Sequence, residues 1–262
     1  MKKIAFGTYG LTSDDEKILK YAIEQGYRIL DTAESYGTEK LIGDVLKLAN
    51  RSEFFIITKV SPENLTFKGV INSVVGSVSR LNTYIDLLLI HVPNPNIPLK
   101  ETFSAMKLLQ EKRIIRYYGV SNFDYNQTLE AIKYGIYGHQ HEFSLVYRWY
   151  EDVLMLCNFK NIKFFAYRPF SNGDIFKEPY KSYIDIVAKK YNKTIAQIAL
   201  KWIQLHGAIP IIGSKNFDHI KENIDLDFEL SEFDYLFLED LFRLLVLNQN
   251  ENNSLKESKS LC

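Results

Sequence analysis

Three short apolar runs in this sequence each end beside a residue that can hold or move a proton. The first closes on Asp31, and a phenol follows five residues later in Asp31-Thr32-Ala33-Glu34-Ser35-Tyr36-Gly37. The second, FFIITKV, carries Lys59, and the third, YIDLLLI, is followed by His91. Burying an unpaired ammonium is strongly unfavourable, so Lys59 either snorkels out of the rim of its run or meets a carboxylate. If Asp31, Tyr36 and Lys59 converge, the set is a proton donor. A phenol with its ordinary pKa of about 10 is too weak an acid at neutral pH, a neighbouring ammonium lowers it, and Asp31 keeps the ammonium charged. A histidine beside an apolar run is commonly a satisfied core group. Next to such a Tyr/Lys pair, His91 reads as a neutral imidazole that hydrogen-bonds a carbonyl oxygen and orients a substrate.

Groups this far apart in sequence meet only if the elements bearing them do. Short apolar runs alternate with amphipathic segments along most of the chain. The runs predict strands near residues 4–7, 27–31, 54–59, 85–91, 117–121, 138–142, 163–167 and 208–212, and the spacing predicts helices over 14–25, 39–49, 70–81, 100–110, 126–134, 149–158, 194–205 and 232–245. The runs are apolar on consecutive positions, as in parallel strands buried on both faces. This alternation is an α/β pattern that an open sheet and a barrel both satisfy. The polar residues decide between them. Nearly every run ends in one: Asp31, Lys59, His91, Ser121 with Asn122, Gln140, Tyr167, and Ser214 with Lys215. A barrel gathers all of these at one mouth, whereas a sheet spreads them along an edge. The G-x-G-x-x-G fingerprint is also missing after the first strand, where Gly7-Thr8-Tyr9-Gly10 stands. The expectation is a single (β/α)8 TIM barrel over 1–247, with a loose polar C-terminal tail over 248–262 that either hangs free or covers the mouth.

The length of 262 residues suits one such barrel, and 46% hydrophobic residues suffice for its core. Thirty-two basic residues balance thirty-two acidic ones, so no overall field draws the chain to nucleic acid or an anionic membrane. Two cysteines, Cys157 and Cys262, are too few for a disulfide framework, and there is neither a long apolar span nor a leader-like start. The chain is therefore expected to be a cytoplasmic monomer acting on a small molecule. His139 and His141 sit two apart on one strand and could form half a zinc site. Beyond Glu142 no third ligand is evident, so no metal is expected.

Taken together, these segments resemble the aldo-keto reductase superfamily over roughly residues 7–223. The Asp31 to Gly37 stretch is similar to the family's aspartate–tyrosine motif and Thr58-Lys59-Val60 to its lysine strand. Leu89-Ile90-His91 is similar to its histidine strand, and Gly119-Val120-Ser121-Asn122-Phe123 to its nicotinamide-amide clamp. The resemblance implies an oxidoreductase that reduces an aldehyde or ketone with NADPH, or alternatively NADH, through Asp31, Tyr36, Lys59 and His91. It also implies that Ser121, Asn122 and Gln140 bind the carboxamide, Tyr167 stacks on the nicotinamide ring, Thr8 touches the ribose, and Tyr9 lines the substrate pocket. At the adenine end the chain departs from the family. Where a lysine, a serine and an arginine often grip the 2′-phosphate, it has Gly213, Ser214 and His219, with Lys215 next to the serine. Glu222 and Asn223 match the pair that holds the adenine, and Arg168 stands where serine is usual and could reach the pyrophosphate. Three loops that set substrate choice, 92–99, 171–180 and the tail, are short or low in information, and the chain starts almost on its first strand, so a shallow, open site is expected. A rival reading on the same fold is a nicotinamide-binding regulatory subunit, like potassium-channel β subunits, with little turnover.

Overall fold

The computed structural model describes residues 3–243. The expected tail over 248–262, the last residues of the 1–247 barrel segment, the end of the helix expected over 232–245 and Cys262 lie outside them. Eight parallel strands close into a barrel in chain order: β1 (Ala5–Gly7), β2 (Ile29–Asp31), β3 (Phe55–Val60), β4 (Ile85–Ile90), β5 (Ile115–Ser121), β6 (Gly138–Glu142), β7 (Lys163–Tyr167) and β8 (Ala208–Ile212). The ring closes where Ala5 and Phe6 of β1 register with Ile211 and Ile212 of β8. Around it lie α1 (Glu16–Glu24), α2 (Glu39–Leu46), α3 (Phe67–Leu81), α4 (Leu99–Glu111), α5 (Tyr125–Ile132), α6 (Glu151–Phe159), α7 (Tyr180–Tyr191), α8 (Ile195–Leu205), α9 (Phe217–Asn223) and α10 (Glu232–Phe242). The (β/α)8 expectation therefore holds. Two helices had no counterpart in the sequence reading, α7 in the stretch after the loop placed at 171–180, and the short α9.

Strand parity places the functional residues. Alternate side chains point to opposite faces, so one set packs outward against the helices and the other fills the barrel. The inner set contains Ala5, Ile29, Ile57, Leu87, Leu89, Phe165 and Ile211. Two residues beyond an inner residue, the same face emerges at the C-terminal mouth. Ile29 leads to Asp31, Ile57 to Lys59, Leu89 to His91 and Phe165 to Tyr167. The lower end is filled by aromatic rings, with Tyr117 and Tyr137 stacked 4.0 Å apart. Glycine is required where β5 and β6 approach, because a Cβ on Gly119 would lie 2.0 Å from the Gly138 carbonyl oxygen.

Candidate active site

At the barrel mouth Lys59 is 1% exposed. Its ammonium donates to Asp31 Oδ1 and Oδ2, each at 2.9 Å, and to the Thr32 carbonyl at 2.8 Å. Three acceptors match the three N–H bonds of an ammonium, so the snorkelling alternative is set aside. Gln140 donates its amide to Asp31 Oδ1 at 2.8 Å and locks the carboxylate from the far side of the barrel. Burial pulls the Lys59 pKa down, and the charge and hydrogen bonds of Asp31 oppose that pull.

Tyr36 stands on a single 3-10 turn, Glu34–Tyr36, that ends in Gly37 at φ 73°, a left-handed conformation suited to glycine. Its ring lies 4.9 Å from Lys59 Nζ and meets the rings of His91 and Tyr9 edge-on at 5.6 and 5.0 Å. The expected lowering of the phenol pKa is not found in this site. Burial, then the negative charge of Asp31, push it above its ordinary value, because Asp31 already neutralises the ammonium beneath. Tyr36 thus keeps its proton at neutral pH. Burial, then the Lys59 charge, lower the His91 pKa against the pull of Asp31, Glu34 and Glu63, which leaves its imidazole neutral.

Beside these four lie Ser121, Asn122, Gln140 and Tyr167. Asn122, at φ 61°, donates to the His91 carbonyl at 2.9 Å and to Ser121 Oγ at 3.1 Å, while its Oδ1 accepts from the Tyr167 hydroxyl at 2.7 Å. The phenol of Tyr167 is pushed up to about 12 by burial. Ser121, Asn122, Gln140, Tyr167, Arg168 and Tyr9 line one cleft of about 610 Å³ together with Asp31, Tyr36 and His91. Tyr9 is 80% exposed at its edge. Gly7 and Gly213 line it too, and inward strand parity could have located both. Thr8 does not fit its expected role. It is fully buried, and its hydroxyl lies on the Asp31 carbonyl at 2.9 Å and on Thr38 at 2.8 Å, so it braces β1 against the Asp31 loop instead of facing a ribose. Arg168 lies at the cleft edge, half-exposed, with one guanidinium nitrogen on Glu142 at 3.0 Å.

A second cleft of about 680 Å³ shares Ile212 and Gly213 with the first, and here Ser214, His219, Glu222 and Asn223 meet as expected. Thr194 also lines it and donates to Glu222 Oε1 at 2.6 Å, which no sequence signal marked. Lys215 turns aside to Asp15 at 2.9 Å. Two adjoining clefts suit an elongated dinucleotide. One detail fits that occupant: the buried Asn223 Oδ1 has no protein partner. Between the clefts a Cβ at Gly213 would sit 2.6 Å from the Gly7 carbonyl oxygen, so glycine lets the end of β8 approach β1. His139 and His141 are core groups, with pKa values lowered by burial to about 3 and about 4. His139 contacts Thr128 at 3.1 Å, and His141 accepts from the Glu142 amide at 2.8 Å.

The sequence pattern of the Aldo/keto reductase family matches residues 3–240. Glyoxal reductase of Bacillus subtilis is 33% identical over 242 residues, spanning 89% of this chain and 83% of that protein. A crystal structure of the thermostable aldo-keto reductase Tm1743 with the inhibitor epalrestat superposes with a TM-score of 0.88 at 35% identity, covering 92% of this chain and 95% of that one. An aldo-keto reductase of Bombyx mori solved with NADP gives 0.83 at 29% identity, covering 92% and 89%. With its barrel, its mouth residues and a pattern match along nearly its whole length, the chain belongs to the aldo/keto reductase family.

Proposed function

We propose that this oxidoreductase reduces an aldehyde or ketone to an alcohol with NADPH, and that Tyr36 is the proton donor. The observation that carries the reading is the buried Asp31–Lys59 pair set beneath a protonated Tyr36 and beside a neutral His91, at the head of a double cleft. The Bombyx mori relative holds NADP; in the second cleft Ser214, His219, Glu222 and Asn223 would grip the adenosine end of such a cofactor. Ser121, Asn122 and Gln140 would hold the carboxamide, and Tyr167 would support the ring. Bound there, the reduced nicotinamide supplies a hydride to the substrate carbonyl carbon.

The protein's own groups do the rest. His91 donates a hydrogen bond to the carbonyl oxygen and fixes its direction toward Tyr36. Tyr36 gives its proton to that oxygen as negative charge develops, and the Lys59 ammonium stabilises the tyrosinate left behind. Tyr9 forms one wall of the substrate entrance. In an assay of NADPH consumption with an activated aromatic aldehyde, Tyr36→Phe should cut turnover by at least about 100-fold, the lower end of general acid catalysis, with cofactor affinity nearly unchanged. Wild-type cofactor binding with no turnover across aldehydes and ketones would point instead to a regulatory subunit, and near-normal turnover by Tyr36→Phe would remove the assigned acid.

A further inference from the structure

We infer that Glu34 is a positioning residue for Tyr36, its carboxylate fixing the turn that bears the phenol to the loop that leaves Lys59. Glu34 opens the same 3-10 turn that ends in Tyr36. Its Oε1 accepts from the backbone N–H of Ser61 at 2.6 Å and from Asn64 Nδ2 at 3.1 Å. Ser61 is two residues beyond Lys59, so one oxygen ties the phenol-bearing turn to the exit of the lysine strand. The third loop is stitched to the same place, since Asn94, three residues after His91, donates to the Pro62 carbonyl at 2.9 Å. Tyr36 follows β2, Lys59 lies near the end of β3 and His91 follows β4, and these bonds above the barrel rim fix the three exit loops to one another.

The carboxylate stays ionised. Burial raises its pKa, but the Ser61 amide and the Asn64, Ser73 and Ser61 side chains lower it further than burial lifts it. Charge-assisted bonds to a backbone N–H are stronger than neutral ones and directional. Without this tie the turn keeps its Tyr36 N–H bond to the Ala33 carbonyl and the ring contacts of Tyr36, but it ends on Gly37, which permits many conformations. Because Tyr36 must meet the substrate oxygen at hydrogen-bond distance, a small displacement of the turn lowers the chemical rate without touching the cofactor clefts.

The inference rests on the proposed role of Tyr36, and its test separates the two. Glu34→Ala should lower kcat about 10- to 100-fold, the scale of a roughly 1 Å misplacement, with NADPH affinity by fluorescence titration within about twofold of wild type. Glu34→Gln keeps an acceptor oxygen for Ser61 and should recover kcat to within about threefold of wild type. Ser61→Pro removes the donor from the other side: φ at Ser61 is −65°, which suits proline, and the ring Cδ takes the place of the N–H and displaces the carboxylate. It should reproduce the Glu34→Ala loss, and the double variant should be no worse than either, which also covers the case where Glu34→Ala folds poorly. A purely structural role would lower the fraction of cofactor-binding protein and leave kcat per bound cofactor unchanged, and that result overturns the inference. So does a Glu34→Gln variant as slow as Glu34→Ala, because charge and not the hydrogen bond would then be responsible. If Tyr36→Phe is inactive while Glu34→Ala is normal, this inference alone falls. If Tyr36→Phe is active, both fall.

Discussion

At the scale of single residues the site depends on one buried ammonium. Lys59 and Tyr36 act as a unit in the proposed reaction, one as donor and the other as the charge that stabilises the donor's conjugate base. Lys59→Met should therefore cost as much turnover as Tyr36→Phe, at least about 100-fold, and the double variant should be scarcely slower than either. Losses that multiply in steady-state rates would mean that the lysine serves only to neutralise Asp31. The pH dependence separates two accounts of the acid. With its pKa lowered, His91 protonates only below its ordinary 6.5. With its pKa raised, Tyr36 ionises only above its ordinary 10.0. Reduction should thus be flat from pH 7 to 10, falling on the acid side as His91 gains a charge and on the alkaline side as Tyr36 loses its proton. An alkaline limb with a midpoint near 8 would show that in the working complex Lys59 overcomes burial, as the sequence alone suggested. That lysine was legible because an ammonium in an apolar run needs a partner. The Gln140 bond to Asp31 was not, because it crosses the barrel and depends on strand stagger. Thr8 misled for a related reason, since its place in sequence next to Tyr9 says nothing of the fact that its side chain turns inward under the loop.

At the scale of elements, α10 is fastened by two carboxylates, Asp234 to Lys190 and Tyr191 of α7 and Glu239 to the barrel side. Glu239 accepts from Trp202 Nε1 at 2.8 Å, pairs with Arg148 at 2.7 Å and lies 2.9 Å from His206 Nε2, so the loop before α6 and the end of α8 converge on it. Burial raises its pKa, but the bonds from His206 and Arg148 bring it to about 2. A carboxylate whose folded pKa is depressed adds stability that is present above its unfolded value and lost as pH falls through the folded one. Glu239→Gln should accordingly destabilise the protein at neutral pH by about 3 kcal/mol, or roughly 6–12 °C in Tm, because it leaves Arg148 half-buried with one partner fewer. Below pH 2 the difference from wild type should vanish. An unchanged Tm at pH 7 would show that Phe242 against Trp149 and the other apolar contacts hold α10 unaided. Elements with a long apolar stripe were legible in sequence, and those set by caps were not. The start of α9 is fixed by the Asn216 side chain accepting from the amides of Asp218 and His219, a local bond too small to appear as periodicity. The missed α7 did carry a signal. Ile184, Val187 and Ala188 lie at helical spacing and are buried, but Gly173 and Pro179 just upstream gave that region the look of a continued loop.

At the scale of the whole molecule, the barrel was legible because polar residues at so many strand ends have only one architecture that brings them together. The second cleft was legible only in part: the resemblance pointed to Ser214, His219, Glu222 and Asn223, whereas Phe170, Phe176, Asp185 and Thr194 join them from distant segments that no stretch of sequence brings together. The expected phosphate grip tests how far that architecture extends. Lys215 follows β8 at the end of the ring and pairs with Asp15 just before α1, so an ion pair joins the two ends of the barrel beside Ser214 of the second cleft. The Lys215 hydrogen bond, followed by the Thr12 amide, holds the Asp15 carboxyl below its ordinary range, so the pair is charged at neutral pH. A 2′-phosphate approaching Ser214 would compete with Asp15 for the ammonium. If Lys215 answers it, Lys215→Ala should weaken NADPH by roughly 10- to 150-fold, the worth of one charge-assisted hydrogen bond, and leave NADH unchanged. Asp15→Asn should do the opposite. By releasing the lysine it should tighten NADPH by a few-fold at most, since an exposed ion pair is weak, again without effect on NADH. Raising the salt concentration should shrink both effects, because this pair is exposed to solvent. Equal losses of both cofactors in Lys215→Ala would reduce the lysine to a clasp between the first helix and the last strand. Phosphate recognition would then rest on Ser214 and His219.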